Sequence, residues 1–350
     1  MKSGANEMDR SYATVKVDAK TEERARRLHD GCLVVNACDT AEWTEDYVVN
    51  RLKPSGVNVT VPTMASHAGY AGTGEELASW FSRLRVLREH VARATCYADI
   101  ERAVADGKVA AIYAFQSDRP LDGKLDLLDV YYEMGVRVLQ ITYNKRGYSG
   151  DGCLETFDGG LSDWGAKLVE RMNELGMIID LSHTSPKTST DVLNITKQPV
   201  IFSHSNCKAL INNIRNVDDT LLAGIKRCRG FVGINVLLSM VSKDFHRTPS
   251  IDELMDHVDY VAKTIGWEYV GFGLDRAEGM PKETWESFGF PPEHYPCYED
   301  AVVNHAIQEV YSIRQFGNLT RMLVKRGYTD EQVKGILGGN FLRVFKKVVG

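Results

Sequence analysis

Eight short apolar runs recur along the 350 residues, several of them separated by helix-like patterns. That alternation leaves few folds open. The runs are LVVNACD (33–39), VNVTVPTM (57–64), VAAIYAFQ (109–116), VRVLQITYN (136–144), GMIIDLSH (176–183), PVIFSHS (199–205), FVGINVLL (231–238) and YVGFGLD (269–275). Their length and β-branched content read as strands buried in a parallel sheet. Parallel neighbours cannot be joined by a tight hairpin and need crossover connections. EELASWFSRLRVLREHVARA, LDLLDVYYEMG and GLSDWGAKLVERMNELG supply them, with apolar residues at spacings of three and four and glycine where a C-cap wants one. Eight β-then-α units predict a closed (β/α)8 barrel, a TIM barrel, and a chain that is 43% hydrophobic can fill such a core.

The remainder is expected to fit around one catalytic domain spanning 1–350. Residues 1–30 form a polar arm and a helix, TEERARRLHDGC, that plugs or flanks the amino end of the barrel. Residues 276–315 are irregular and aromatic, the character of a lid or binding loop. Residues 316–350 close the chain with short helices, Thr329 serving as an N-cap and Glu331 lying in a first turn. GYAGTGEE lacks the lysine of a phosphate loop and GYSGDGCLETFDGG opens no dinucleotide turn, so both read as barrel loops. A GxSxG nucleophile elbow is absent.

A net charge of −5 without a basic run argues against nucleic acid or an anionic membrane as partner, which leaves a small molecule. No apolar stretch reaches the roughly 18 residues of a membrane span, and the first residues lack a signal-like core. Seven cysteines without a CxxC pair, Cys38 among them, read as reduced thiols that mostly fill the core. A cytoplasmic protein is expected.

In a parallel barrel the carboxyl ends of the strands share one mouth. The polar residues at or near those ends are Asp39, Gln116, Tyr143, Asn144, His183, His204, Asn235 and Asp275. Two histidines with one or two carboxylates suit zinc, iron or manganese. Asp275 can serve instead as a general base or substrate anchor. Tyr143 can line the pocket or act chemically, and His67, after the second strand, is placed to touch substrate.

The segments GVRVLQITYN, GMIIDLSHTSPKTSTDVL, PVIFSHS, NIRN and YVGFGLD together resemble the renal (membrane) dipeptidase family of amidohydrolase-like barrels, over nearly the whole chain from about residue 25. The resemblance implies a two-metal site at the barrel mouth and, commonly, a homodimer. His183 and His204 match the family's second-metal histidines, Arg215 the arginine that binds the substrate carboxylate, and Asp275 the aspartate beside the attacking water. Three positions depart from the pattern. Ala37-Cys38-Asp39 stands where the family has its HxD pair, Gln116 where it has the bridging glutamate, and Tyr143 where a histidine polarises the scissile carbonyl.

Losing an imidazole and a bridging carboxylate removes a ligand and a negative charge from between two dications. Gln116 and Asn36 offer only neutral amide oxygens. The residues left, His183 and His204 with Asp39 or Asp275, approach the two-histidine, one-carboxylate set of non-heme iron. The altered pattern also resembles an offshoot of these barrels that contains the non-heme diiron monooxygenase of platensimycin biosynthesis. The leading expectation is therefore a non-heme iron or diiron monooxygenase using dioxygen on a small organic acid or coenzyme A-linked substrate. Asp275 and Tyr143 are its catalytic residues, and Arg215, Asn144, His67 and Tyr295 bind substrate. Trp285, Phe288, Phe290, Tyr295 and Tyr298 are expected to keep water from the mouth. The alternatives are a zinc-dependent dipeptidase-like or amidohydrolase-type metallohydrolase, and a non-catalytic relative that binds a metal or ligand.

Overall fold

The computed structural model describes residues 12–350, and part of the expected arm, residues 1–11, lies outside the described residues. Its strands are β1 (Val34–Asp39), β2 (Val57–Ala65), β3 (Val91–Arg93), β4 (Val109–Ala111), β5 (Tyr113–Phe115), β6 (Val136–Gln140), β7 (Ile178–Asp180), β8 (Ile201–Phe202), β9 (Phe231–Ile234) and β10 (Val270–Phe272). All strand pairings are parallel, in the order β10-β9-β8-β7-β6-β5-β2-β4-β3, with β1 also on β2. β4 and β5 are one strand interrupted at Ile112, whose N–H still donates to the Thr60 carbonyl at 3.0 Å. The ends of the sheet return to each other, because the Asp275 N–H donates to the Cys38 carbonyl at 3.2 Å.

All eight expected strands form, and all but β2, which extends to Ala65, are shorter than or interrupted within their apolar runs. The run at 231–238 stops as strand at Ile234 and ends in a four-residue helix, Leu238–Val241. Two local expectations fail. GYAGTGEE opens the helix Tyr70–Val86 behind Gly69 instead of forming a loop. The helix expected to run through HVARA stops at Val86, and Val91–Arg93 becomes β3 on the edge of β4, since β-branched Val91 finds a parallel partner in Val109. Elsewhere the crossovers carry the anticipated ends. The helix Asp163–Leu175 is capped by Ser162, whose hydroxyl accepts from the Gly165 N–H at 2.9 Å, and closes on Gly176 at φ 73°. Thr329 caps Asp330–Lys334, with Glu331 in its first turn.

Alternate strand residues divide between two apolar layers. Val35, Ala37, Val59, Val61, Ile112 and Ile178 pack inward with Phe231, and Phe341 of the last helix, Asn340–Val348, meets Phe231 edge-on at 5.5 Å. That helix covers the amino ends of the strands, where Arg343 donates to the carbonyls of Arg229 and Gly230. The first helix, Ala19–Asp30, flanks the body beside Gly317–Lys325, tied by the Glu22–Arg321 ion pair. With the amino end filled, open space is left at the carboxyl end. Among the described residues no helix is long and apolar enough to cross a membrane.

Candidate metal centre

His183 and His204 sit just beyond β7 and β8, both buried, with their Nε2 atoms 2.9 Å apart. The other ring nitrogens determine what those Nε2 atoms carry. The Nδ1 of His183 lies 2.7 Å from the Asn144 Oδ1, which accepts but cannot donate. The Nδ1 of His204 lies 2.7 Å from the Ser203 hydroxyl, whose own proton goes to the Asp180 carboxylate. Each Nδ1 is therefore the protonated nitrogen, and each Nε2 presents a lone pair to the other. Burial and the Arg215 guanidinium push both imidazoles well below the usual histidine range, so neither carries a second proton at neutral pH. Two buried lone pairs facing each other repel unless a cation sits against both. Nitrogens about 2.0–2.1 Å from one ion and about 90–110° apart are about 2.9–3.4 Å from each other, so the spacing fits a shared divalent ion.

The backbone bends sharply at this point. His183 has φ 67° and Asp275 φ 50°, left-handed conformations that non-glycine residues rarely adopt. At His183 the turn is held by the Cys153 N–H, which donates to its carbonyl at 2.8 Å. Around His204 the strands approach so closely that a Cβ on Gly233 or Gly273 would lie 2.0 or 1.9 Å from the Ser203 carbonyl oxygen. Glycine at both positions is what lets β8 and its histidine seat.

Asp275 faces the same space. Its Oδ1 accepts from Thr40 at 3.3 Å and from the Cys38 thiol at 3.7 Å, and burial pushes its carboxyl up to about 6 against the pull of Arg215. Ligand atoms of Cys38, His204 and Asp275 all lie within 4.8 Å of one another. Cys38, expected to be core filler, is thus at the centre of the site, and no metal motif announces it in the sequence. A thiol one residue short of the end of the first apolar run was the available signal.

Asp39 and Asn36 stand apart from this group, contrary to expectation. The Asp39 carboxylate accepts from Tyr47 at 3.0 Å, Thr60 at 2.9 Å and the Ala41 N–H at 3.1 Å. Asn36 spends its amide oxygen on the Leu274 N–H at 2.9 Å. The cause is a bulge in β1: Asn36 pairs with Thr60 but Asp39 with Pro62, three residues against two. Val35 and Ala37 point inward, so unbroken alternation would carry Asp39 inward as well. The extra residue turns Asp39 outward with Thr60 and brings Cys38 and Thr40 into the cup.

The other expected residues surround a cavity of about 160 Å³ lined by Gln116, Tyr143, His183, Asp275, Trp285, Phe288, Phe290 and Tyr295, among others. Gln116 donates from its amide nitrogen to the Cys38 sulfur at 3.3 Å. Tyr143 stacks on His183 with ring centroids 4.0 Å apart, and burial pushes its phenol well above the usual range, so it remains a donor. Asn144 joins segment 276–315 to the His183 ring, since its Oδ1 also accepts from Tyr295 at 3.1 Å. Arg215 is buried, donates to the His204 carbonyl at 3.4 Å, and leaves its Nε without a partner among the described residues. His67 stands at the rim between Tyr143 and Phe288. Asn235 serves structure, its amide nitrogen donating to the His204 carbonyl at 3.2 Å.

The model of the family described as membrane dipeptidase, peptidase family M19, matches residues 62–288 and 301–349, so β1 lies ahead of the matched part. The dipeptidase tcpJ of Claviceps purpurea is 29% identical over 252 residues, 71% of this chain and 53% of its own. An uncharacterized dipeptidase of Schizosaccharomyces pombe is 32% identical over 249 residues, 69% of this chain and 54% of its own. The chain thus spans about half the length of these curated relatives. Among solved structures, an amidohydrolase from Pseudomonas aeruginosa superposes with TM-score 0.85 at 27% identity, covering 93% of this chain and 99% of that one. The probable dipeptidase PvdM of the same organism shares the fold, with TM-score 0.76 at 21% identity over 95% and 99% of the two chains.

These findings overturn the expected iron monooxygenase. The matching family and the curated relatives are dipeptidases, and the oxygenase reading, with its iron, dioxygen and hydroxylated acid or coenzyme A thioester, has no counterpart among them. The Asp39 carboxylate of the expected iron ligand set accepts from Thr60 and faces away from the histidines.

Proposed function

The chain belongs to the membrane dipeptidase family, peptidase family M19, and from that premise we propose that it is a metal-dependent hydrolase that cleaves the amide bond of a dipeptide-sized substrate. The observation that carries the reading is the 2.9 Å approach of two Nε2 lone pairs whose tautomers are fixed from behind. His183 and His204 would hold a divalent ion, zinc in the first instance, and Asp275 stands beside it. When bound, such an ion polarises the amide carbonyl and acidifies a water molecule.

The chain's own side chains supply the remaining functions. Asp275, with its carboxyl pushed up to about 6, takes a proton on a carboxylate oxygen and returns it to the departing amine. Arg215, buried and with its Nε unpartnered among the described residues, offers its guanidinium to the substrate carboxylate. Tyr143 keeps its proton and can donate to the oxygen of the scissile carbonyl, where the resembling family uses a histidine. Segment 276–315 acts as the lid: Phe290 stacks on Tyr295 at 4.4 Å and Trp285 on the edge of Phe290 at 5.3 Å, leaving room only for a small substrate.

The neutral Gln116 in the bridging position favours one tightly held ion over two. The test is hydrolysis of a panel of dipeptides by the full chain after chelation and after return of zinc. Amine release that follows zinc, and that is lost in His204→Ala, is the expected result. Absence of dipeptide cleavage at any zinc loading would overturn the reading.

A further inference from the structure

We infer that Cys38 is itself a metal ligand, its thiolate sharing the ion with His204 and Asp275 in a mixed sulfur, nitrogen and oxygen site that leaves a position open for water. The inference rests on the hydrolase reading and adds a ligand that neither the family pattern nor the sequence supplies.

Three observations carry it. First, the Cys38 sulfur lies 3.7 Å from an Asp275 oxygen, close to the edge of a tetrahedron with a metal–sulfur bond of about 2.3 Å and a metal–oxygen bond of about 2.0–2.2 Å. Second, the bulge in β1 has a chemical result, since it puts outside the cup the carboxylate that regular alternation would place inside and substitutes a thiol. Third, the sulfur faces the site: the Gln116 amide nitrogen donates to it at 3.3 Å, and a His204 ring nitrogen lies within 4.8 Å of it.

Charge arithmetic points the same way. A dication and the Arg215 guanidinium bring three positive charges into a buried cup, and Asp275 cancels one of them. A Cys38 thiolate cancels a second, leaving a single positive charge for the single carboxylate of a substrate. On binding, the sulfur–hydrogen bond breaks, the electron pair goes to the metal–sulfur bond, and the proton leaves to solvent.

Cobalt(II) added to the metal-free full chain provides the test, because a thiolate ligand produces a sulfur-to-cobalt charge-transfer band that histidine and carboxylate do not. The expected result is one bound cobalt by equilibrium dialysis with that band present. Cys38→Ser should lose the band and bind at least tenfold more weakly, and Cys38→His should regain affinity without the band. Zinc-loaded wild-type protein should show a sulfur neighbour at about 2.3 Å by X-ray absorption, a reading that needs no variant to fold. Cobalt bound without the band, a band that persists in Cys38→Ser, or a zinc shell without sulfur would each overturn the inference and leave the hydrolase reading standing. Folded wild-type protein that binds no cobalt would end both.

Discussion

His183 donates through Nδ1 to the Asn144 Oδ1 at 2.7 Å, and this contact decides which face of the imidazole is available for chemistry. Asn144 also receives the Tyr295 hydroxyl, so the orientation of the His183 ring and the seating of Tyr295 share one amide oxygen. Its counterpart behind His204 is the Ser203–Asp180 pair.

Asn144→Ala and Ser203→Ala should therefore each weaken zinc binding by about 10–100-fold while leaving both imidazoles in place. Competition with a chromophoric chelator measures this directly. Unchanged affinity in both variants would mean that the tautomers are not set from behind.

Arg215→Lys keeps the charge but loses the planar fork that grips a carboxylate in two places. For a free dipeptide the variant should raise KM by about tenfold or more, with a smaller change in kcat. A dipeptide amidated at its carboxyl terminus should be hydrolysed poorly by wild type and variant alike. Equal losses on both substrates would remove Arg215 from carboxylate recognition.

Acid sensitivity should come in part from His257, away from the barrel mouth. It is buried on the helix Ile251–Thr264, accepts from the Cys207 N–H at 3.1 Å, and burial pushes it down to about 4. The folded value lies below the unfolded value of about 6.5, so the unfolded chain binds the proton first as pH falls. Stability from this residue is complete above about pH 6.5 and is lost progressively toward pH 4, a loss on the order of 3 kcal/mol. Urea unfolding of wild type and His257→Gln at several pH values should show the gap between them narrow across that interval. A gap independent of pH would refute the assignment.

Segment 276–315 is anchored by an ion pair. Glu278 is buried, pairs with Arg51 at 2.8 Å, and accepts from the Ser312 hydroxyl at 2.7 Å and the Ile313 N–H at 2.9 Å. Arg51→Ala would leave that carboxylate uncompensated at a cost of about 2–3 kcal/mol, below the full figure for a buried pair because water still reaches the arginine. Faster proteolysis within 276–315 should accompany the lower urea midpoint, and a midpoint unchanged from wild type would count against the anchor.

The barrel was legible in the sequence because strands buried on both faces must be apolar almost throughout, and eight such runs have few architectures. β3 was not, since Val91 and its neighbours follow a helix whose periodicity runs smoothly into them. The histidines could be read because each closes an apolar run at a strand's carboxyl end. Cys38 could not, because a bulge is invisible to alternation: Ala37, Cys38 and Asp39 are all buried, and only the pairing of Asn36 with Thr60 and Asp39 with Pro62 shows which of them faces the cup. Asp180 was concealed in another way, as a carboxylate in the middle of GMIIDLSH that serves the site through Ser203 without reaching it.

The left-handed backbone at His183 and Asp275 limits what mutation can offer there. Apart from glycine, the side chains that tolerate such φ values are mainly asparagine, aspartate and histidine. Most replacements at these two positions carry a backbone cost of about 1–2 kcal/mol, and apart from glycine those that escape it carry an oxygen or nitrogen donor. The geometry acts as a sieve: variation at the mouth of this barrel can exchange one ligand type for another more readily than it can empty the site.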